Sequence, residues 1–123
     1  MSTLTDLLTL ELPKPQTRQL KIPRLKLADG SPLTLTLRQL TYSRVADLKR
    51  MDDNVEIQTI LAGVTEPNLR DMQLCEHFGA VTPVELVAKM FLPGEIEEIA
   101  EHIERLSGYR RRMTQLVEEV QKN

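Results

Sequence analysis

The residues that could do chemistry are few, and the most suggestive group among them is Cys75-Glu76-His77. Cysteine and histidine are common metal ligands, but residues two apart on a helix point to different faces. The chain has no second cysteine and only one other histidine, His102. We therefore interpret Cys75 as a small core residue and His77 as a surface or capping residue. A nucleophilic Cys75 activated by a histidine is the catalytic alternative, which the spacing does not favour.

Sequence motifs for phosphate binding or catalysis are missing. The chain contains no G-x-x-x-x-G-K-[ST], G-x-G-x-x-G, G-x-S-x-G or H-E-x-x-H pattern. Gly63 stands alone in Ala62-Gly63-Val64, which indicates close helix packing rather than a phosphate loop. Glutamates are frequent between positions 95 and 104, but acidic side chains near a helix start are favoured by the helix dipole. We expect no catalytic residues, no enzymatic activity, no cofactor and no metal ion.

Charge is distributed unevenly along the chain. Residues 1–50 carry nine Lys/Arg and four Asp/Glu, whereas residues 51–123 carry seven and fourteen. This asymmetry fits two solvated faces, and it also fits head-to-tail attraction between copies or recruitment of a basic partner. The cluster Arg110-Arg111-Arg112 offers a nucleic-acid site, but the net charge is −2 and only 3% of the residues are aromatic. Both features disfavour nucleic-acid binding.

The composition also bears on location. The single cysteine excludes an internal disulfide and is typical of a reducing compartment. No apolar stretch approaches the roughly 20 residues needed to cross a bilayer, and the N-terminus lacks the regions of a signal peptide. We therefore expect a cytoplasmic protein without a membrane partner.

The N-terminal part predicts an arm followed by a hairpin. Residues 1–16 form an amphipathic arm with leucines at helical spacing, a cap at Thr3 or Thr5, and prolines that end the helix. Over residues 17–40 the apolar period changes to two, which is typical of strands. The alternation changes parity at Pro23, which indicates a bulge or an edge position. Turn-forming residues at positions 28–32 join the strands.

Residues 41–109 predict a bundle of short helices, and together with the hairpin they make one domain, residues 17–109. We predict helix starts at Thr41, at one of residues 52–54, at Asn68 and at the capping box Thr82-Pro83-Val84-Glu85. The second of these helices includes Val64 and ends near Glu66-Pro67. The predicted fold is α+β and mainly α: a small N-terminal β-hairpin packed on short helices with a longer C-terminal helix.

The longer helix begins at Pro93, which suits a first helical turn. Its apolar residues recur at three- and four-residue steps and form the isoleucine stripe: Ile96, Ile99, Ile103 and Leu106. A break is predicted at Ser107-Gly108, because glycine disfavours a helix interior. Beyond it, residues 110–123 predict a separate helical tail.

Several of these segments together resemble the XkdN-like tail assembly chaperones of tailed phages and phage-derived particles. The resemblance lies in the order and spacing of segments 60–69, 77–79, 82–86, 91–96 and 106–109. The leucine-rich arm followed by Leu12-Pro13-Lys14-Pro15 and a short β-segment is also similar to that family. The resemblance extends to about Tyr109.

The resemblance implies a non-enzymatic protein made in the cytoplasm of an infected or induced bacterium. Such a protein would bind the tape-measure protein, help recruit the tail-tube protein, and be absent from the mature particle. In related chaperones a ribosomal frameshift gives a longer second product, and this remains open here. The family supplies no catalytic residues.

We place the partner-binding residues around the start and the apolar stripe of the last helix. They are Leu92, Glu95, Ile96, Glu98, Ile99, Ile103 and Leu106. The alternative for the stripe is burial against the other helices, with mixed use as a third possibility. Self-association through the oppositely charged halves is a further expectation, and the alternative function is a small regulatory nucleic-acid-binding protein that uses Arg110–Arg112.

Overall fold

The computed structural model describes residues 2–110 and 112–117. Within them, short helices and a small antiparallel sheet form an α+β fold that is mainly helical, as predicted. The elements are α1 (Thr3–Thr9), β1 (Thr17–Lys26), β2 (Pro32–Arg38), α2 (Tyr42–Lys49), α3 (Val55–Gly63), β3 (Val64–Glu66), α4 (Met72–His77), α5 (Pro83–Met90) and α6 (Pro93–Leu106).

The predicted hairpin is present as β1 and β2. Thr17 lies opposite Arg38 and Ile22 opposite Leu33, and the register then shifts before Lys26. This irregularity confirms the bulge predicted at Pro23, and the predicted edge position is also correct, because β1 is an edge strand of the sheet. Proline is tolerated there because an edge strand has backbone groups that need no partner.

The third strand, β3, was not predicted, and the expectation that the second helix extends through Val64 is wrong. The helix ends at Gly63, and Val64 then pairs with Leu37 of β2 while Glu66 pairs with Thr36. Val64 is 8% exposed, so it remains buried in the strand as it would on an apolar helix face. Apolar spacing alone could not distinguish the two arrangements.

The core lies between the sheet and the two helices α3 and α6. Leu35 and Leu37 point from β2 into one cluster with Ile60 of α3 and with Ile99 and Ile103 of α6. All five side chains are at most 1% exposed. The hairpin is thus stabilised by helix packing, which an isolated two-stranded ribbon requires.

Local hydrogen bonds define most helix starts. The hydroxyl oxygens of Thr41 and Thr82 accept bonds from Arg44 N and Glu85 N, as the sequence predicts. The prediction of Asn68 as a cap is wrong, because Asp71 accepts from the backbone at the start of α4.

The arm and the described residues after Gly108 contribute no buried residue to the core. The helix of the arm is present as α1, but its cap is Ser2 rather than Thr3 or Thr5, and none of its residues is buried. The predicted break after Leu106 is confirmed, with Gly108 at φ 96°. The predicted helical tail is wrong for residues 112–117, which form no helix; the rest of it lies outside the described residues. No helix in the described ranges is long and apolar enough to span a membrane.

Candidate partner-binding surface

The start of α6 is fixed by its own first turn. Pro93 occupies the first helical position, and the carboxylate of Glu95 accepts a hydrogen bond of 2.7 Å from the backbone N–H of Leu92. This contact satisfies one of the donors that a helix start leaves free. The side chain of Leu92 itself points outward and is 52% exposed. Leu92 is therefore available to a partner.

A second contact ties the same carboxylate to the sheet. Arg24 of β1 donates from Nη2 to Glu95 Oε1 at 2.8 Å and from Nε to Oε2 at 3.1 Å. The same Nη2 also donates to the backbone carbonyl of Met90 at 2.8 Å. The bonds from Arg24, with help from Leu92 N–H, lower the pKa of Glu95 below its ordinary value. Glu95 is thus occupied by internal contacts and positions α6 against β1.

The isoleucine stripe divides into an inner and an outer part. Ile99, Ile103 and Leu106 are at most 5% exposed and belong to the core, which corresponds to the burial alternative. Ile96 is half-buried at the edge of the same cluster. Of the predicted partner-binding residues, Leu92, Ile96 and the exposed Glu98 are therefore the ones with side chains accessible at the surface and not occupied by internal contacts. Partner binding by any stripe residue stays a prediction.

Ile96 lines a groove between the first turns of α3 and α6, which we call the α3–α6 groove. Its volume is about 540 Å³, and its apolar lining includes Val55, Ile57 and Phe91. Val55 is 39% exposed, whereas Phe91 forms the floor at 3%. The groove was not predicted, because the sequence does not show that the apolar side chains at the start of α3 leave a space beside the start of α6.

The rim of the groove is acidic. Glu56 and Glu97 line it, and Glu98 lies exposed next to Glu97. None of these three has a salt-bridge partner in the part of the chain that the structure describes, whereas Glu101 and Glu104 pair with Arg105 and Arg110 at 2.8 and 2.7 Å. The negative potential of α6 is therefore concentrated at the groove end. Glu56 and Glu97 line the groove, and sequence reasoning did not single them out as partner-binding residues.

The residues with possible catalytic chemistry lie elsewhere. Cys75 is 3% exposed and packs with Ala80 and Leu86 in a small second cluster. His77 is exposed, with its ring edge-to-face against Phe78 at 4.8 Å. These positions agree with our interpretation of Cys75 as a core residue and His77 as a surface residue. Among residues 2–110 and 112–117, no three acidic, cysteine or histidine side chains cluster as metal ligands.

The arginine cluster is only partly described. Arg110 forms an ion pair with Glu104, which neutralises its charge locally, and Arg112 is exposed. Arg111 lies outside the described residues. The described members thus do not form a joint basic patch, since one of the two is matched by a carboxylate.

By its fold the protein is a small, mainly helical α+β domain. The crystal structure of the protein YqbN has this fold: the two align with a TM-score of 0.61 over 76% of this chain and 87% of that one, at 16% identity. At such low identity the likeness concerns the fold alone. No match was found among curated proteins.

Family membership follows from a second comparison. The family model of the phage XkdN-like tail assembly chaperone proteins matches residues 50–121, which is more than half of the chain. The chain therefore belongs to this family of phage tail assembly chaperones, and the predicted family is confirmed. The matched region begins with the residue after α2 and extends beyond α6, so it includes both helices that form the α3–α6 groove.

Proposed function

We propose that this protein binds the tape-measure protein of its phage or prophage and helps recruit tail-tube subunits to it. It acts in the cytoplasm of the bacterial host and is released before the particle is complete. Family membership supports the assembly role. The α3–α6 groove is the single observation that supports the location of the binding site. An exposed apolar groove with an acidic rim suits a protein client better than a small substrate.

The chemistry of the groove defines the client segment. Val55, Ile57 and Ile96 can receive the apolar side of an amphipathic helix, and the exposed Leu92 extends this surface. Burying the exposed half of one leucine side chain contributes on the order of 1 kcal/mol, so several such contacts are needed for useful affinity.

Charge selects among amphipathic helices. Glu56, Glu97 and Glu98 attract a segment whose apolar face is bordered by lysine or arginine, and they repel an acidic one. Since all three carboxylates lie at the surface, this contribution is screened by salt. We therefore expect the client segment to be an apolar and basic helix.

The buried part of α6 supports this site without contacting the client. Ile99 and Ile103 fix the helix against the sheet, and the Arg24–Glu95 contact fixes its first turn. The groove is thus held in place by the core, which reduces the entropy lost on binding.

Co-expression with the tape-measure protein of the same phage or prophage tests the proposal. We expect a soluble complex that is retained on affinity purification and weakened by salt. The Glu97→Lys/Glu98→Lys variant should bind at least tenfold more weakly, whereas Glu76→Lys, on the exposed surface of α4, should bind as the wild type does. Leu92→Ser should also weaken binding, with Val81→Ser as its matched control, because Val81 is 85% exposed outside the groove.

Two results would contradict the proposal. The chaperone function fails if the tape-measure protein stays equally insoluble and unbound with the wild-type protein. The assignment of the groove fails if the complex forms but the charge reversal and Leu92→Ser leave its affinity unchanged.

A further inference from the structure

Both chain ends leave the folded core at the same corner. The backbone N–H of Gln39 donates to the carbonyl of Gln16 at 3.0 Å, and Gln16 N–H donates to the side-chain oxygen of Gln39 at 2.9 Å. The next residue, Leu40, donates from its N–H to Ser107 Oγ at 3.0 Å. The root of the N-terminal arm and the end of α6 therefore lie beside each other.

The arm presents an apolar surface that nothing in its own chain covers among the described residues. Its five leucines are all more than half exposed: Leu4 66%, Leu7 56%, Leu8 78%, Leu10 59% and Leu12 83%. Leu4, Leu7 and Leu8 share one face of α1. A seven-residue helix is marginal alone in water, and exposed leucines in a row favour association. The arm thus has the properties of a docking segment.

A second feature of the same corner is an apolar cleft of about 360 Å³ between α2, α3 and the end of α6, which we call the α2 cleft. Leu40, Val45 and Leu48 form much of its wall. At the rim, Lys49 Nζ lies 5.2 Å from the centre of the Tyr109 ring, and Lys49 has no acidic partner within the described ranges. The cleft combines an apolar interior with an edge where Lys49 lies beside the Arg110–Glu104 ion pair, so that one positive charge is left over.

We propose that the N-terminal arm of one copy of this protein docks in the α2 cleft of a second copy. The leucines of α1 match the apolar wall, and the acidic Asp6 and Glu11 match Lys49 at the rim. This proposal goes beyond the function proposed above and does not depend on the identity of the client.

The linker of the arm is long enough for it to reach another molecule. Pro13 and Pro15 favour an extended backbone of about 3.1 Å per residue. The seven residues from Leu10 to Gln16 give α1 a reach of up to roughly 20 Å from the corner. In the structure α1 buries no residue against its own chain, whose α2 cleft begins at that corner with Leu40. A neighbouring copy can offer its cleft at the distance that the linker sets.

Sedimentation velocity of the full chain over a hundredfold range of concentration tests the proposal. We expect association of the wild type that rises with concentration, and a monomer at every concentration for Leu7→Asp/Leu8→Asp. Leu116→Asp is the matched control, because Leu116 is 96% exposed in the other terminal segment, and it should associate as the wild type does. Circular dichroism and urea unfolding check that each variant is folded.

A charge exchange tests the proposed rim contact. Lys49→Glu should weaken association at least threefold, and adding Asp6→Lys to that variant should restore at least half of the loss. Adding Glu76→Lys to Lys49→Glu instead restores the same net charge from an exposed position on α4, and it should not restore association. Restoration by Asp6→Lys but not by Glu76→Lys would show that Asp6 and Lys49 meet.

The proposal is overturned if the wild type is monomeric throughout, or if it associates and Leu7→Asp/Leu8→Asp does so equally. A monomeric wild type whose unfolding midpoint falls in the leucine variant would show that the arm lies on its own chain. Loss of tape-measure binding in that variant, with a monomeric wild type, would make the client the occupant.

Discussion

Replacing Gly63 by alanine is a direct test of how α3 and α6 pack. A Cβ atom added at position 63 would lie 2.6, 2.7 and 2.9 Å from Cδ1, Cγ2 and Cγ1 of Ile103. Ordinary carbon–carbon contacts are about 3.5–4.0 Å. Ile103 is completely buried, so its side chain cannot move away without displacing other core residues. The new methyl group therefore has to be accommodated by strain.

The magnitude follows from two opposing effects. Overpacking a filled core costs about 1–3 kcal/mol. Alanine is favoured over glycine in a helix interior by up to about 1 kcal/mol, and less here because Gly63 is the last residue of α3. We expect Gly63→Ala to lower the free energy of unfolding by about 1–2 kcal/mol, which corresponds to a fall in Tm of roughly 4–8 °C for a chain of this length.

Urea unfolding followed by circular dichroism measures this change, with Gly94→Ala as the control. Gly94 lies in the first turn of α6, and a Cβ there meets nothing within 4 Å, so the control should lose no stability. In an Ile103→Ala background, the clash disappears and Gly63→Ala should cost nothing. The reasoning is refuted if Gly63→Ala is as stable as the wild type, or if its cost is unchanged when Ile103 is truncated.

Two further predictions concern the contacts that fix the helix starts. Because Arg24 and Leu92 N–H lower the pKa of Glu95 below 4.5, its carboxylate adds stability at neutral pH that is lost as the pH falls through the lower folded value. Glu95→Gln should therefore flatten the dependence of the urea midpoint on pH below about 4.5, and an unchanged profile would disprove the link. Thr82→Ala should lower the free energy of unfolding by about 1 kcal/mol through loss of the bond to Glu85 N. Ser2→Ala, a cap on a helix without buried residues, should leave the urea midpoint in place, and equal losses in both cap variants would argue against this account.

Local signals in the sequence predicted most elements correctly. Thr82 with Pro83 defines the start of α5, Pro93 that of α6, and alternating leucines define β2. These features act within one turn or one strand, so neighbouring residues are sufficient to recognise them. Gly63 was also interpreted correctly, since an isolated glycine in an apolar helix indicates close packing.

The missed features depend on contacts between distant residues. β3 has three residues and exists because Val64 meets Leu37, 27 positions earlier along the chain. Likewise, the periodicity of α6 showed that one face is apolar but not that the sheet covers Ile99 and Ile103 and leaves Ile96 at the edge. The α3–α6 groove results from the space between two helix starts, and no local pattern encodes such a space.

The contact between Arg24 and Glu95 can form only late in protein synthesis. The two residues are 71 positions apart, and the apolar face of β2 is covered by Ile99 and Ile103 of the same late helix. At about 5–20 residues per second, a ribosome needs roughly 3–12 seconds to travel from Leu37 to Ile99. Throughout that interval the leucines of β2 have no partner from α6. Until its last helix has been made, this member of a family of assembly chaperones therefore exposes apolar surface that is itself prone to aggregation.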